Sequence, residues 1–143
     1  MDQLHLLPEF VSNHLFLTGG FVLVLALLFK AEFEHQASRA FQLDPGQAIR
    51  EINNDAHVID VRSDAEFARN HIKGAKNLQA ASVVEKIENL GIGKDDSIVV
   101  YCNVGNTASR SCRQLRDAGY TNVKNIKGGV TAWQDANLPV TTK

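Results

Sequence analysis

The sequence predicts an α/β domain with a mainly parallel sheet flanked by helices, behind one N-terminal apolar helix. Three observations lead there. From about residue 43 onward, β-rich runs such as Ser97-Ile-Val-Val-Tyr101 alternate with helix-type segments, and such an order means parallel strands joined by helices that cover both faces. The 20 residues from Phe10 to Phe29 contain no Asp, Glu, Lys or Arg. The chain has 143 residues, 44% hydrophobic and 22% charged, enough for one domain of ordinary size and typical of a folded chain. The net charge of −1 lacks the basic balance of nucleic-acid binders, so no nucleic-acid partner is expected. Two cysteines exclude a disulfide-stapled scaffold.

The apolar run comes first. At ~1.5 Å per residue it reaches ~30 Å, the thickness of a hydrocarbon core, and a helix satisfies all its backbone groups internally. Gly19-Gly20 and Asn13 are tolerable imperfections. A cleaved signal peptide needs a basic leader and a small-residue cleavage site; residues 1–14 hold no Lys or Arg, and no such site follows Phe29. A surface helix or a soluble core helix needs a polar face, and this segment is apolar all round. Residues 1–30 are therefore expected to be a transmembrane anchor, with residues 10–29 in the membrane. Lys30 and Arg39 follow the run and no Lys or Arg precedes it, which places the N-terminus outside and the domain in the cytoplasm, where free thiols persist. Residues 31–42 read as a polar linker.

The domain, residues 43–143, opens with Asp44-Pro45-Gly46-Gln47: Asp as N-cap, Pro at the first helical position and Gln three residues after the cap. That helix should run to about Asn53. His57-Val-Ile-Asp-Val61 is a short strand. Ser63 to Glu66 is a second capping box, for a helix ending near His71. Lys76 to Leu78 is a brief strand, residues 80–90 a helix stopped by Gly91-Ile-Gly93, and Ser97 to Tyr101 the clearest strand. A helix over Asn106–Ala118 closes at Gly119, followed by a strand at Val123–Ile126 and a last helix at Val130–Ala136.

Ligands of parallel α/β sheets bind at the carboxyl ends of strands, where Cys102-Asn-Val-Gly-Asn-Thr107 lies. Unpaired N–H groups and the helix dipole there favour an anion, and the loop can curl its amides around one. Taken alone, these residues equally allow Cys102 to be a small hydrophobe at a strand end, with Gly105 a turn residue.

Asp60-Val-Arg62, Glu66-Phe67, His71-Ile-Lys-Gly-Ala75, Tyr101-Cys102 with Gly105 three residues on, Gly119-Tyr120, and Gly128-Gly129 with Trp133 occur in that order. Together they resemble a rhodanese domain, and one membrane segment before a single such domain is similar to the membrane-anchored rhodaneses of bacteria, which implies the inner (cytoplasmic) membrane. The resemblance implies a five-stranded sheet and sulfurtransferase activity. Cys102 would be the nucleophile, taking sulfane sulfur from a small donor such as thiosulfate or from a persulfidated protein and passing the persulfide to a thiol acceptor. Asn103, Val104, Gly105, Asn106 and Thr107 would hold the thiolate, persulfide and departing anion, with Arg62 counted among the substrate-binding residues. No metal or organic cofactor is implied.

The sequence departs from the family at Thr107, where active members commonly carry Arg. This removes a cation from the donor site, and Arg110, one turn on, is expected at the surface with Arg113. The change favours an alternative function, a non-catalytic rhodanese-like module that binds a partner at the membrane. A cysteine phosphatase would need Arg six positions after the cysteine, where Ala108 stands. Arg62 and Glu66 are spaced to form a structural ion pair, His71 reads as a packing residue, Trp133 as core, and Cys112 lies on a buried stripe with Ala108, Leu115 and Gly119. The five histidines show no metal-ligand spacing, so no metal site is expected.

Overall fold

A computed structural model describes residues 14–142 of the chain; positions 10–13 of the apolar run lie outside the described residues. The chain divides into two units, residues 1–40 and 41–143.

The described part of the first unit is one helix, α1 (Leu15–Arg39), of 25 residues, ~38 Å long at 1.5 Å per residue. Its large apolar side chains from Leu15 to Phe29 are exposed, Phe16 at 98%. The stretch Leu15–Glu32 is long and apolar enough to cross a membrane. Helix α1 runs through most of the segment expected as a linker. The reason is composition: no Gly or Pro occurs between Gly20 and Pro45, and Ala31, Glu32, Glu34, Gln36 and Ala37 are strong helix formers.

The second unit is built on a five-stranded sheet in the order β1-β6-β5-β2-β4, parallel throughout. Its strands are β1 (Gln42–Leu43), β2 (His57–Asp60), β4 (Lys76–Asn77), β5 (Ile98–Tyr101) and β6 (Val123–Ile126). A separate antiparallel pair joins β3 (His71–Ile72) to β7 (Val140–Thr141). The helices are α2 (Pro45–Asn53), α3 (Asp64–Arg69), α4 (Val83–Asn89, after a 3₁₀ turn at Ala80–Ser82), α5 (Asn106–Asp117) and α6 (Gly129–Asp135).

Both capping boxes form. The Asp44 carboxylate accepts from the Gln47 N–H at 2.8 Å while the Asp44 N–H donates to the Gln47 side chain at 3.0 Å. Ser63 and Glu66 do the same at the start of α3; such caps contribute about 1 kcal/mol each.

Strand pleating sorts the core. On β5, Ile98 and Val100 face a cluster with Ile87 of α4 and Ala108, Cys112 and Leu115 of α5. Val99 and Tyr101 face the opposite cluster with Ala48 of α2 and Val130 and Trp133 of α6. This period of two sends Cys102, just past Tyr101, back to the α5 side. Cys112 is 1% exposed, as its stripe predicts, whereas Gly119 at the foot of that stripe is exposed because it lies beyond the end of α5.

Candidate functional site

The loop after β5 is held from three sides. From within, the Gly105 N–H donates to Cys102 Sγ at 3.1 Å and the Ala108 N–H at 3.4 Å. The chain closes this tight curl by entering α5 through Gly105 at φ 102°, a conformation open to glycine. From below, the N–H groups of Val130 and Thr131 at the start of α6 donate to the carbonyls of Cys102 and Asn103 at 2.8 and 3.2 Å. The approach is so close that a Cβ on Gly129 would overlap the Cys102 carbonyl oxygen.

From the side, the loop meets the end of β2 and the start of α3. Asn103 Nδ2 donates to Glu66 Oε1 at 2.6 Å, and Arg62 Nη1 donates to Asn103 Oδ1 at 3.4 Å. Glu66 Oε2 accepts from the Ser63 N–H at 3.1 Å and hydroxyl at 2.7 Å. These donors, Asn103 first, hold the Glu66 carboxyl down at about 2.

Arg62 does not form the ion pair with Glu66 that its spacing predicts. Arg62 sits in a bend before α3, with its N–H donating to Asp60 Oδ1 at 2.9 Å, and its guanidinium meets Asp60 instead, Nη2 to Oδ2 at 2.7 Å, with Nε sharing both carboxylate oxygens at 3.0 Å. Its remaining reach goes to Asn70, the carbonyl at 2.6 Å and side-chain oxygen at 3.2 Å. The pair is buried, Asp60 at 0% and Arg62 at 7% exposure. Burial opposes the guanidinium charge, but the bonds to Asp60 outweigh it and raise the Arg62 pKa. The Arg62 guanidinium lies 5.5 Å from the centre of the Tyr101 ring, whose hydroxyl is driven far above its ordinary pKa by burial and Asp60.

Of the other residues singled out from the sequence, Val104 is 60% exposed at the loop tip, and Asn106, Thr107, Arg110 and Arg113 are exposed. Thr107 itself adds no charge to the rim. The His71 ring stacks on Phe67 at 3.9 Å with Nδ1 2.9 Å from the Phe67 carbonyl, a packing role as expected. Trp133 is 2% exposed and its indole N–H donates to the Pro139 carbonyl at 3.0 Å. Burial pushes the Cys112 thiol up to about 12, and both cysteines are free. The bonds from Asn103 to Glu66 and from Arg62 to Asn70 were not anticipated. They join residues 37 and 8 apart and carry no local signature.

A cysteine in an amide-lined loop at the carboxyl edge of a five-stranded parallel sheet defines a class: an α/β domain with a cysteine-bearing loop at its ligand-binding edge. The model of the rhodanese-like domain matches residues 44–136, and the chain belongs to that family. It is similar to the uncharacterized protein YibN of Escherichia coli (strain K12), 29% identical over 134 residues, covering 92% of this chain and 94% of that one. It is also similar to the thiosulfate sulfurtransferase PspE of the same strain, 36% identical over 72 residues, 50% of this chain and 69% of that one. Among solved structures it matches a rhodanese with anions from E. coli, TM-score 0.54 and 32% identity, covering 62% of this chain and 99% of that one.

Proposed function

We propose that the protein is a membrane-anchored sulfurtransferase that carries sulfane sulfur as a persulfide on Cys102. One observation carries this reading: two backbone N–H groups aim at Cys102 Sγ from within a closed loop, where negative charge sits in the attacking and the departing thiolate. Preorganised donors of this kind stabilise charge at no reorganisation cost during reaction. In the first half-reaction the Cys102 thiolate attacks the outer sulfur of a donor. With thiosulfate the S–S bond breaks, sulfite leaves with the electron pair, and Cys102 holds the sulfur. In the second, an acceptor thiolate attacks that outer sulfur and Cys102 leaves as thiolate. The similarity to PspE supports the reaction class. Thr107 offers a hydroxyl where a cation would meet a dianion, so a donor with less charge near its sulfur, such as a persulfidated protein, suits this loop better than thiosulfate.

Helix α1 would anchor the domain in the inner membrane, N-terminus out and domain in the cytoplasm. The support is the exposed apolar surface of Leu15–Phe29, which a helix in water does not sustain, and the cations that follow the apolar run. The protein should stay in membranes on alkaline extraction, and the domain should be shielded from protease added outside.

The test of the chemistry is a mass spectrum of Cys102 after treatment with a sulfur donor, under non-reducing conditions. The gain of one sulfur atom, lost on adding a thiol, supports the reading. An unmodified Cys102 with every donor would establish the second reading, a non-catalytic binding module, which the uncharged rim at Thr107 favours.

A further inference from the structure

The side chain after the nucleophile is gripped at both ends. The Asn103 amide presents its NH₂ to the Glu66 carboxylate at 2.6 Å and its oxygen to the Arg62 guanidinium at 3.4 Å. An amide has one donating and one accepting end, so a carboxylate on one side and a guanidinium on the other admit one orientation. Neither charged group is free to drift. Glu66 Oε2 is tied to Ser63 at the N-cap of α3, and Arg62 is tied to the buried Asp60 and to Asn70.

We propose that Glu66, Asn103 and Arg62 form a clamp of positioning residues that sets the Cys102–Asn103 peptide, and through it the aim of the Gly105 and Ala108 amides at Cys102 Sγ. This deepens the reading of Cys102 as a persulfide carrier and rests on it. The mechanism is geometric. The Asn103 carbonyl is fixed by the Thr131 N–H and the Asn103 side chain by the clamp, so the residue cannot rotate about its own backbone. A nucleophile misplaced by a fraction of an ångström loses rate at a site it still occupies. With the polar ends of the clamp spent on one another and on Ser63, Asp60 and Asn70, its loss should lower kcat for persulfide formation and leave KM for the donor nearly unchanged.

The arrangement predicts a reciprocal effect. Asn103→Asp sets a second carboxylate against Glu66. Glu66→Gln, with its oxygen kept for the Ser63 N–H, turns an NH₂ toward the NH₂ of Asn103. Each single variant is frustrated. Joined, they fit: the new Asp accepts from the new Gln, the 66–103 contact with donor and acceptor exchanged, and still accepts from Arg62. We expect each single variant to lose roughly 10- to 100-fold in the rate of Cys102 persulfide formation, the scale of a lost charge-assisted hydrogen bond. The double variant should return to within about threefold of wild type.

A double variant no better than the worse single one, or an Asn103→Asp variant as fast as wild type, would overturn the clamp. Should wild type form no persulfide, the failure belongs to the proposed function. The clamp is then read from the backbone amide NMR shifts of Gly105 and Ala108, which should move in both single variants and return in the double. Shifts unmoved by the single variants would overturn it equally.

Discussion

Cys102 and Cys112 are both buried, at 5% and 1% exposure, and both touch the same apolar cluster. What separates them is what the sulfur meets. Cys112 stands in mid-helix, where backbone N–H groups are spent on the turn before, so its surroundings are side-chain carbon and its thiol is pushed up to about 12. Cys102 stands past the end of a strand, and two amides turn inward to its sulfur. The fraction buried therefore does not tell the two cysteines apart, while the direction of nearby N–H groups does.

The largest test of that contrast is Cys102→Ser against Cys112→Ser. The first should abolish sulfur transfer, a loss on the order of 10³-fold or more as when a nucleophile is removed. It should leave the melting temperature nearly unchanged, because a hydroxyl can still accept from Gly105 and Ala108. The second should keep the activity. Equal losses of activity at unchanged melting temperature would replace the contrast with a two-cysteine redox mechanism.

Next in size is Thr107→Arg, which adds a cation to the rim of one cysteine and leaves the other alone. Restoring a charge-assisted contact of roughly 1.5–3 kcal/mol should raise kcat/KM for thiosulfate by about 10- to 150-fold. A persulfidated protein donor should gain far less. High thiosulfate turnover in wild type, unimproved by Arg, would mean that another group such as Arg110 already meets the anion.

A smaller effect should appear in stability. Cys112→Ser buries a hydroxyl among apolar side chains and should cost about 1–3 kcal/mol, seen as a lower denaturant midpoint at unchanged slope. In the folded wild type, Cys112 should also resist alkylation at pH 8, far below its thiol pKa of about 12. Labelling of Cys112 as fast as Cys102 would contradict the burial that raises it.

The smallest effect is at acid pH. Glu66 is held at about 2 in the folded state, below the ordinary 4.5. Its contribution is therefore complete above about pH 4.5 and is lost as the pH falls from there through 2. Wild type should lose melting temperature over that window more steeply than Glu66→Gln. Parallel curves would show that the bonds to Asn103 and Ser63 do not hold the carboxylate in solution.

The same contrast between local and distant causes explains what the sequence made legible. Both N-caps, the long strand β5 and the glycine-bearing loop after it were readable because each is specified within a few residues. Strand β1 has two residues and exists because β6 pairs with it, so no periodicity announces it; β3 and β7 are equally short. The five-stranded count came from the family resemblance, and Gln42–Leu43 supplies the strand that residue patterns alone miss. The pairing of Arg62 went to Asp60 rather than Glu66 because Arg62 lies in the bend between β2, which ends at Asp60, and α3, which starts at Asp64, so helical spacing to Glu66 does not apply to it. The Glu66–Asn103 bond crosses 37 residues, and nothing near either residue encodes it.

The hydrogen bonds from Val130 and Thr131 to the carbonyls of Cys102 and Asn103 have a consequence for following the loop over time. An amide proton that donates inside a fold exchanges with solvent only when that bond opens. These two protons sit on α6, yet their bonds end on the loop that carries Cys102 Sγ. Their deuterium uptake is thus a clock for loop opening that needs no label on the cysteine. Were Cys102 loaded with sulfur as proposed, the change would be recorded in the exchange rates of Val130 and Thr131.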